Sequence, residues 1–185
     1  MRAAEDEREH MTFLSRFSRS ATSARPERIR VERVPDPIYA PVTGDVVRLE
    51  EVSDPVFASG VLGRGLGIRP EGGVLYAPAT GVVTALAANS LHAVGITTPQ
   101  GVEILMHVGV DSVEMRGEGF VPYVSKGDRV EAGDALLGFD PQLIARRGHD
   151  NVVIVAVRGP HESSVVEPVR SSRVEAGRVA VAVLP

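Results

Sequence analysis

For residues 34–185 the sequence predicts an all-β domain, an antiparallel β-sandwich or barrel-like fold with internal duplication, and three features carry that expectation. Val-rich runs of five to eight residues, punctuated by Gly and Pro, begin at Val34. Two segments of the chain occur twice. Helix signals are few, so only short helical turns are expected.

Residues 1–33 stand apart. They are rich in Arg, Glu and Ser and lack an alternating apolar pattern, so they are expected to form a mobile N-terminal tail. Within it Met11, Phe13, Leu14 and Phe17 can share one helix face opposite Arg16 and Arg19, a pattern that an anionic membrane surface also selects. Beyond the tail, strands are expected over Asp45–Leu49, Val82–Leu86, Val94–Thr98, Val102–Met106, Asp134–Phe139 and Val152–Val157. Asp54-Pro55 ahead of Val56-Phe57 predicts a single helical turn. Asp140-Pro141 before Gln142–Arg147, closed by Gly148, supplies a cap, a first-turn proline and a terminal glycine, and so predicts a short helix.

The duplication is explicit. Tyr39-Ala40-Pro41-Val42-Thr43-Gly44 returns as Tyr76-Ala77-Pro78-Ala79-Thr80-Gly81, and Arg129-Val130-Glu131-Ala132-Gly133 returns unaltered as Arg173-Val174-Glu175-Ala176-Gly177. In each Pro-x-x-Gly unit, proline ends one strand and glycine gives the backbone freedom to turn into the next. Two doubled units predict quasi-symmetric halves sharing one core, a closed sandwich rather than a solenoid.

Composition narrows the chemistry. A chain of 185 residues is long enough to bury roughly 70% of its unfolded surface without a metal or disulfide. The absence of cysteine excludes thiol catalysis and Cys-ligated zinc, and fits a reducing compartment. A net charge of −4 gives a nucleic-acid partner no general electrostatic help. No apolar run approaches the ~20 residues of a membrane helix, and the acidic N-terminus lacks a secretion signal. A soluble cytoplasmic protein is expected.

Of five histidines, His10, His149 and His161 fall in the tail or beside Gly and Pro. His92 and His107 differ, because each ends a β run of one predicted hairpin that turns at Pro99-Gln100-Gly101. Folding about that turn brings them to one level of adjacent strands, ~5 Å apart. A two-residue loop would set them directly opposite; a Gly-bulge turn would shift pairing by one and need a further irregularity to bring both rings to one face. The apolar setting of His107 favours a neutral ring with a free lone pair, the form that attacks phosphorus. Gly109 would let a large partner approach. His92 can donate to phosphoryl oxygens, with Ser90 or Asp111 fixing its tautomer.

These residues resemble a known family. Gly101-Val-Glu-Ile-Leu-Met-His107-Val-Gly-Val-Asp111-Ser-Val113, followed by Arg116-Gly-Glu-Gly-Phe120, is similar to the phosphorylation-site signature of glucose-type enzyme IIA, a phosphocarrier of the bacterial phosphoenolpyruvate:sugar phosphotransferase system. Ala40–Gly44, Asp54–Ala58, Ala77–Gly81 and Gly127–Leu136 match the same family, in order, across about residues 36–157. The resemblance implies an antiparallel β-sandwich, phosphorylation of His107 and a helper role for His92, with Ser90 in the place of a threonine. It implies the phosphocarrier HPr as donor and a cysteine of an enzyme IIB domain of a sugar permease as acceptor, with regulatory target proteins a further class of partner. It also implies an apolar docking rim, assigned here to Val56, Phe57, Leu105, Met106, Val108 and Val113. No metal or other cofactor is expected in the free domain, although some members bind zinc through the two histidines with a partner's carboxylate. Leu105 and Ala88 stand where members often carry phenylalanine, and Arg64 replaces a common acidic residue, departures that bear on partner preference rather than on phosphoryl chemistry.

Three rivals fare worse. A LytM-type zinc peptidase needs a His-x-His pair, and Leu105 and Gly109 flank His107 instead. A biotinyl or lipoyl carrier needs a lysine at a hairpin tip, whereas Lys126 precedes its turn. A non-catalytic interaction module is the third, and acid-labile phosphorylation in the presence of phosphoenolpyruvate, enzyme I and HPr would separate it from a carrier.

Overall fold

A computed structural model describes residues 24–34, 37–161 and 163–184; the amphipathic pattern over residues 11–17 lies outside them. Fourteen strands and two short helices follow one another as β1 (Ile38–Tyr39), β2 (Gly44–Arg48), α1 (Pro55–Ala58), β3 (Arg64–Pro70), β4 (Val74–Tyr76), β5 (Gly81–Leu86), β6 (Ala93–Thr97), β7 (Glu103–Val108), β8 (Phe120–Pro122), β9 (Arg129–Val130), β10 (Ala135–Phe139), α2 (Pro141–Arg146), β11 (Val153–Arg158), β12 (Val165–Pro168), β13 (Arg173–Val174) and β14 (Val179–Leu184). The six expected strands and both helical turns are present within a residue or two of their expected ends.

All pairings are antiparallel. One eight-stranded sheet runs β13-β2-β3-β11-β7-β6-β5-β9, and two three-stranded sheets run β1-β14-β12 and β4-β10-β8. The main core lies between the large sheet and the two small ones, joining Ile68, Ile104, Met106, Val153 and Val155 to Leu75, Leu136, Leu137 and Val181. Burying each such side chain stabilises by about 1.5–3 kcal/mol. A second, smaller cluster sits on the other face of the large sheet, under α1.

The two copies of the duplicated sequence occupy corresponding places. Tyr39 N donates to Pro78 O at 2.8 Å while Tyr76 N donates to Pro41 O at 2.9 Å, so each copy of the Tyr-Ala-Pro unit bonds the other. Thr43 Oγ1 accepts from Ala176 N at 3.0 Å, and Thr80 Oγ1 accepts from Ala132 N at 3.1 Å. Gly44 pairs with Val174 as Gly81 pairs with Val130. The chain therefore folds as two quasi-symmetric halves that close one core.

Residues 25–32 lie across both repeats as an extended strap. Ile29 N donates to Gly133 O at 3.0 Å and Glu32 N to Gly177 O at 2.9 Å, the same position of each copy. Gly133 (φ +87°) and Gly177 (φ +83°) must be glycine twice over. Their backbone is left-handed, and a Cβ would come within 2.4 Å of Ile29 O and 2.5 Å of Arg30 O. Arg28 pairs with Glu131, and Arg25 lies 3.6 Å from Asp134. Among the described residues, contacts with the β domain thus reach back to residue 25, within the segment expected to be a tail.

Candidate functional site

β7 alternates cleanly, with Glu103, Leu105 and His107 on one face and Ile104, Met106 and Val108 on the other. Met106 and Val108 are 0% exposed and belong to the main core, so they do not form part of a docking rim as expected. His107 stands on the opposite face, flanked by Ile154 of β11 and Ala93 of β6. Beneath it the smaller cluster gathers Leu49, Val52, Phe57, Val110, Val152 and Ile154, with Leu105 packed against them.

α1 supplies the aromatic wall. Asp54 caps it by accepting from Val56 N at 2.8 Å and Phe57 N at 3.4 Å, and Pro55 opens its first turn. The helix holds the Phe57 ring 5.0 Å from that of His107. Phe57 is only 4% exposed, a wall of the pocket more than a piece of its rim. Val56 and Val113 are about half exposed and do stand at the surface, as do Val61 and Leu62, which sequence reasoning did not single out.

The hairpin takes the bulged alternative. Thr98 N donates to Val102 O and Gly101 N to Thr98 O, both at 2.9 Å, with Gly101 at φ +84°. This register places Ala93, not His92, opposite His107. The further irregularity that the shift demands is found at Leu91, whose φ of +55° turns the chain just before β6. The two imidazoles consequently meet edge to face, centroids 4.6 Å apart. Ser90 Oγ lies 2.7 Å from His92 Nδ1, so Ser90 rather than Asp111 holds that ring.

Burial governs the electrostatics. It pushes the His107 imidazolium down to about 4, helped by His92 alongside and opposed by Gly109, Asp54 and Asp111. Burial likewise lowers His92. His107 is therefore neutral near pH 7. Its Nδ1 is buried, which leaves Nε2 as the nitrogen a reacting group can reach.

Gly109 and Asp111 serve the loop that follows. Gly109 is left-handed at φ +78°, and a Cβ there would press on Ser112 at 3.0 Å and Ile144 at 3.2 Å, so the loop's own conformation and packing account for it. Ser112, fully buried, donates to Val108 O and Gly109 O. Asp111, also left-handed at φ +56°, is exposed and influences His107 through its charge alone. Among the described residues no group of three or more His, Cys, Asp or Glu stands ready to hold a metal ion.

Both the sequence and the fold are similar to those of known proteins. The family model described as phosphoenolpyruvate-dependent sugar phosphotransferase system, EIIA 1, matches residues 36–162. The chain is 42% identical over 139 residues to the beta-glucoside-specific EIIBCA component of Dickeya chrysanthemi, covering 75% of this chain and 22% of that protein. It thus spans about a fifth of that longer relative. It is 38% identical over 144 residues to the glucose-specific EIIA component of Halalkalibacterium halodurans, covering 78% of this chain and 83% of the relative. The fold matches the glucose permease IIA from Mycoplasma capricolum with a TM-score of 0.73 and 32% identity, over 78% of this chain and 93% of that one.

Proposed function

The chain belongs to the EIIA 1 family of the phosphoenolpyruvate-dependent sugar phosphotransferase system, a family of phosphoryl carriers in sugar transport, and from that premise we propose that His107 carries the phosphoryl group. The observation behind this assignment is a neutral His107 with Nε2 as its accessible nitrogen, one ring-width from a second imidazole. With the proton on Nδ1, the lone pair of Nε2 attacks the phosphorus of the donor, proposed to be phospho-HPr. The donor's N–P bond breaks as the new N–P bond forms. His92, with the Ser90 hydroxyl donating to its Nδ1, carries its hydrogen on Nε2 and donates it to a phosphoryl oxygen. In the second step the acceptor, proposed to be a thiolate of an enzyme IIB domain, attacks the same phosphorus and His107 leaves as the neutral ring. These partners place the protein's work in the cytoplasm.

Incubation with phosphoenolpyruvate, enzyme I and HPr should give an acid-labile mass gain of one phosphoryl group. His107→Ala should abolish it. His92→Ala should still accept the phosphoryl group but pass it on at least 100-fold more slowly, as loss of a positioned proton donor implies. A mass gain that survives His107→Ala would refute the assignment.

A further inference from the structure

Apart from Tyr39, three polar side chains are buried among the described residues: Ser90, Thr98 and Ser112. Thr98 accepts from Val102 N in the turn of the histidine hairpin, and Ser90 holds His92. Ser112 is the most deeply buried of the three, at 0% exposure, and the transfer reaction as described leaves it without a task. Enclosing a hydroxyl costs free energy unless hydrogen bonds offset it. This one donates to two backbone carbonyls, those of Val108 and Gly109, the latter at 3.2 Å. They belong to the two residues that directly follow His107.

The backbone bends to bring Ser112 there. Among the described residues the non-glycine positions with a left-handed backbone are Leu91, Asp111 and Arg116. Two of them bracket the single helical turn Ser112–Met115. A residue with a side chain keeps this conformation only where its surroundings hold it there, and such places gather at functional sites. Here the turn directs the Ser112 hydroxyl inward to the Gly109 carbonyl, while Val113 beside it faces solvent. Gly109 in turn bears on His107. Its backbone hydrogen bond favours the protonated ring, so the ring donates and the Gly109 carbonyl accepts. The ring nitrogen that faces inward is the buried Nδ1. A carbonyl oxygen has two lone pairs, room for both Nδ1–H and the Ser112 hydroxyl. The hydrogen bond made by one imidazole nitrogen decides which tautomer is present, so whatever fixes this carbonyl also fixes the lone pair of Nε2.

We infer that Ser112 is a positioning residue for phosphoryl transfer, holding the Gly109 carbonyl against Nδ1–H of His107 and so keeping the lone pair on Nε2. The inference rests on the reading of His107 as the phosphoryl carrier. As Nε2 bonds to phosphorus the ring gains positive charge while its hydrogen stays on Nδ1, and a fixed carbonyl dipole at that hydrogen stabilises the charge as it develops. Ser112 thus does for the nucleophile, through one carbonyl, what Ser90 does directly for its helper.

The test uses the full-length chain with isotopically labelled histidine. In two-bond proton–nitrogen correlation spectra at pH 7.5, wild-type His107 should be the Nδ1–H tautomer alone, and the protein should take up a phosphoryl group from phospho-HPr. Ser112→Ala should show both tautomers of His107. It should also lower kcat for uptake about tenfold while leaving the KM for phospho-HPr unchanged, because Ser112 presents no surface to a partner. Ser112→Thr keeps the hydroxyl and should restore both readings. Should Ser112→Ala fail to fold, Ser112→Cys keeps a side chain of similar size with a weak donor and is read in the same way. A folded Ser112→Ala whose His107 stays wholly Nδ1–H, uptake slowed with no change of tautomer, or a Ser112→Thr no better than Ser112→Ala would each overturn the inference. Wild type that takes up no phosphoryl group, whatever its tautomer, would instead refute the carrier reading.

Discussion

At His107, burial and charge pull in opposite directions, and burial wins. Asp54 and Asp111 favour the imidazolium, yet desolvation holds the ring's pKa near 4 against an ordinary 6.5. Between those values the unfolded chain binds more protons than the folded one, so stability rises with pH. The contribution is complete above 6.5 and is lost as pH falls from 6.5 toward 4. A shift of this size corresponds to on the order of 3 kcal/mol. His92 is displaced in the same direction, adding to the trend. Urea unfolding at pH 7.5 and 4.5 measures it: wild type should lose distinctly more stability on acidification than His107→Gln. Equal losses would mean that the buried ring is not the titrating group. Over pH 6–8 the same depressed pKa keeps the nucleophile neutral, so phosphoryl uptake should show no inflection from His107 there.

The elements that place the site differ in how readily their sequence declares them. Both helical turns were legible because an Asp-Pro cap acts within three residues. The histidine hairpin was legible for the same local reason, since Pro99 and Gly101 fix its turn. Its register was not, because the choice between a two-residue loop and a bulge depends on Leu91, outside the turn, adopting a left-handed backbone. Met106 and Val108 were misread because alternation along β7 says which residues share a face, but only packing says which face is the core. The floor of the site was invisible for a stronger reason. Leu49, Val52, Val110 and Ile154 come from segments far apart in the chain, and no local pattern joins them. β3 escaped the list of expected strands because Gly65 and Gly67 dilute its β signature; Gly67 is small because a Cβ would press on Val152, Val47 and Val52. The cap of α1 is open to test. Asp54→Ala should cost about 1 kcal/mol of stability and, by loosening Phe57 against His107, slow phosphoryl uptake. Asp54→Asn keeps the cap without the charge and should restore most of both in parallel unfolding and phosphorylation assays. If Asn fails as badly as Ala, the carboxylate's charge rather than the cap is what the site requires.

For the whole molecule, the duplication creates a joint that the strap spans. Each half offers the same glycine carbonyl, Gly133 O in one and Gly177 O in the other, and Ile29 and Glu32 reach both with three residues of extended chain. A bond to either glycine alone would merely pin the segment. Bonding both ties the halves across their quasi-symmetric axis, in addition to the reciprocal Tyr39–Pro78 and Tyr76–Pro41 bonds. The strap's ion pairs are largely exposed and worth little, ~0–1 kcal/mol each, whereas its two backbone hydrogen bonds contribute about 1 kcal/mol apiece. Removing residues 1–33 should therefore lower stability by about 2 kcal/mol, mainly through the backbone bonds, and the loss should change little with salt. Arg25→Ala/Arg28→Ala in the full chain should reproduce only a small, salt-sensitive part of it. Phosphoryl uptake by the truncated chain should match that of the full chain, because the strap bonds the repeat turns and none of the residues around His107. Undiminished stability after truncation would show that the halves hold together without it. A truncated chain that keeps its stability but loses phosphoryl uptake would instead tie the N-terminal segment to the transfer reaction.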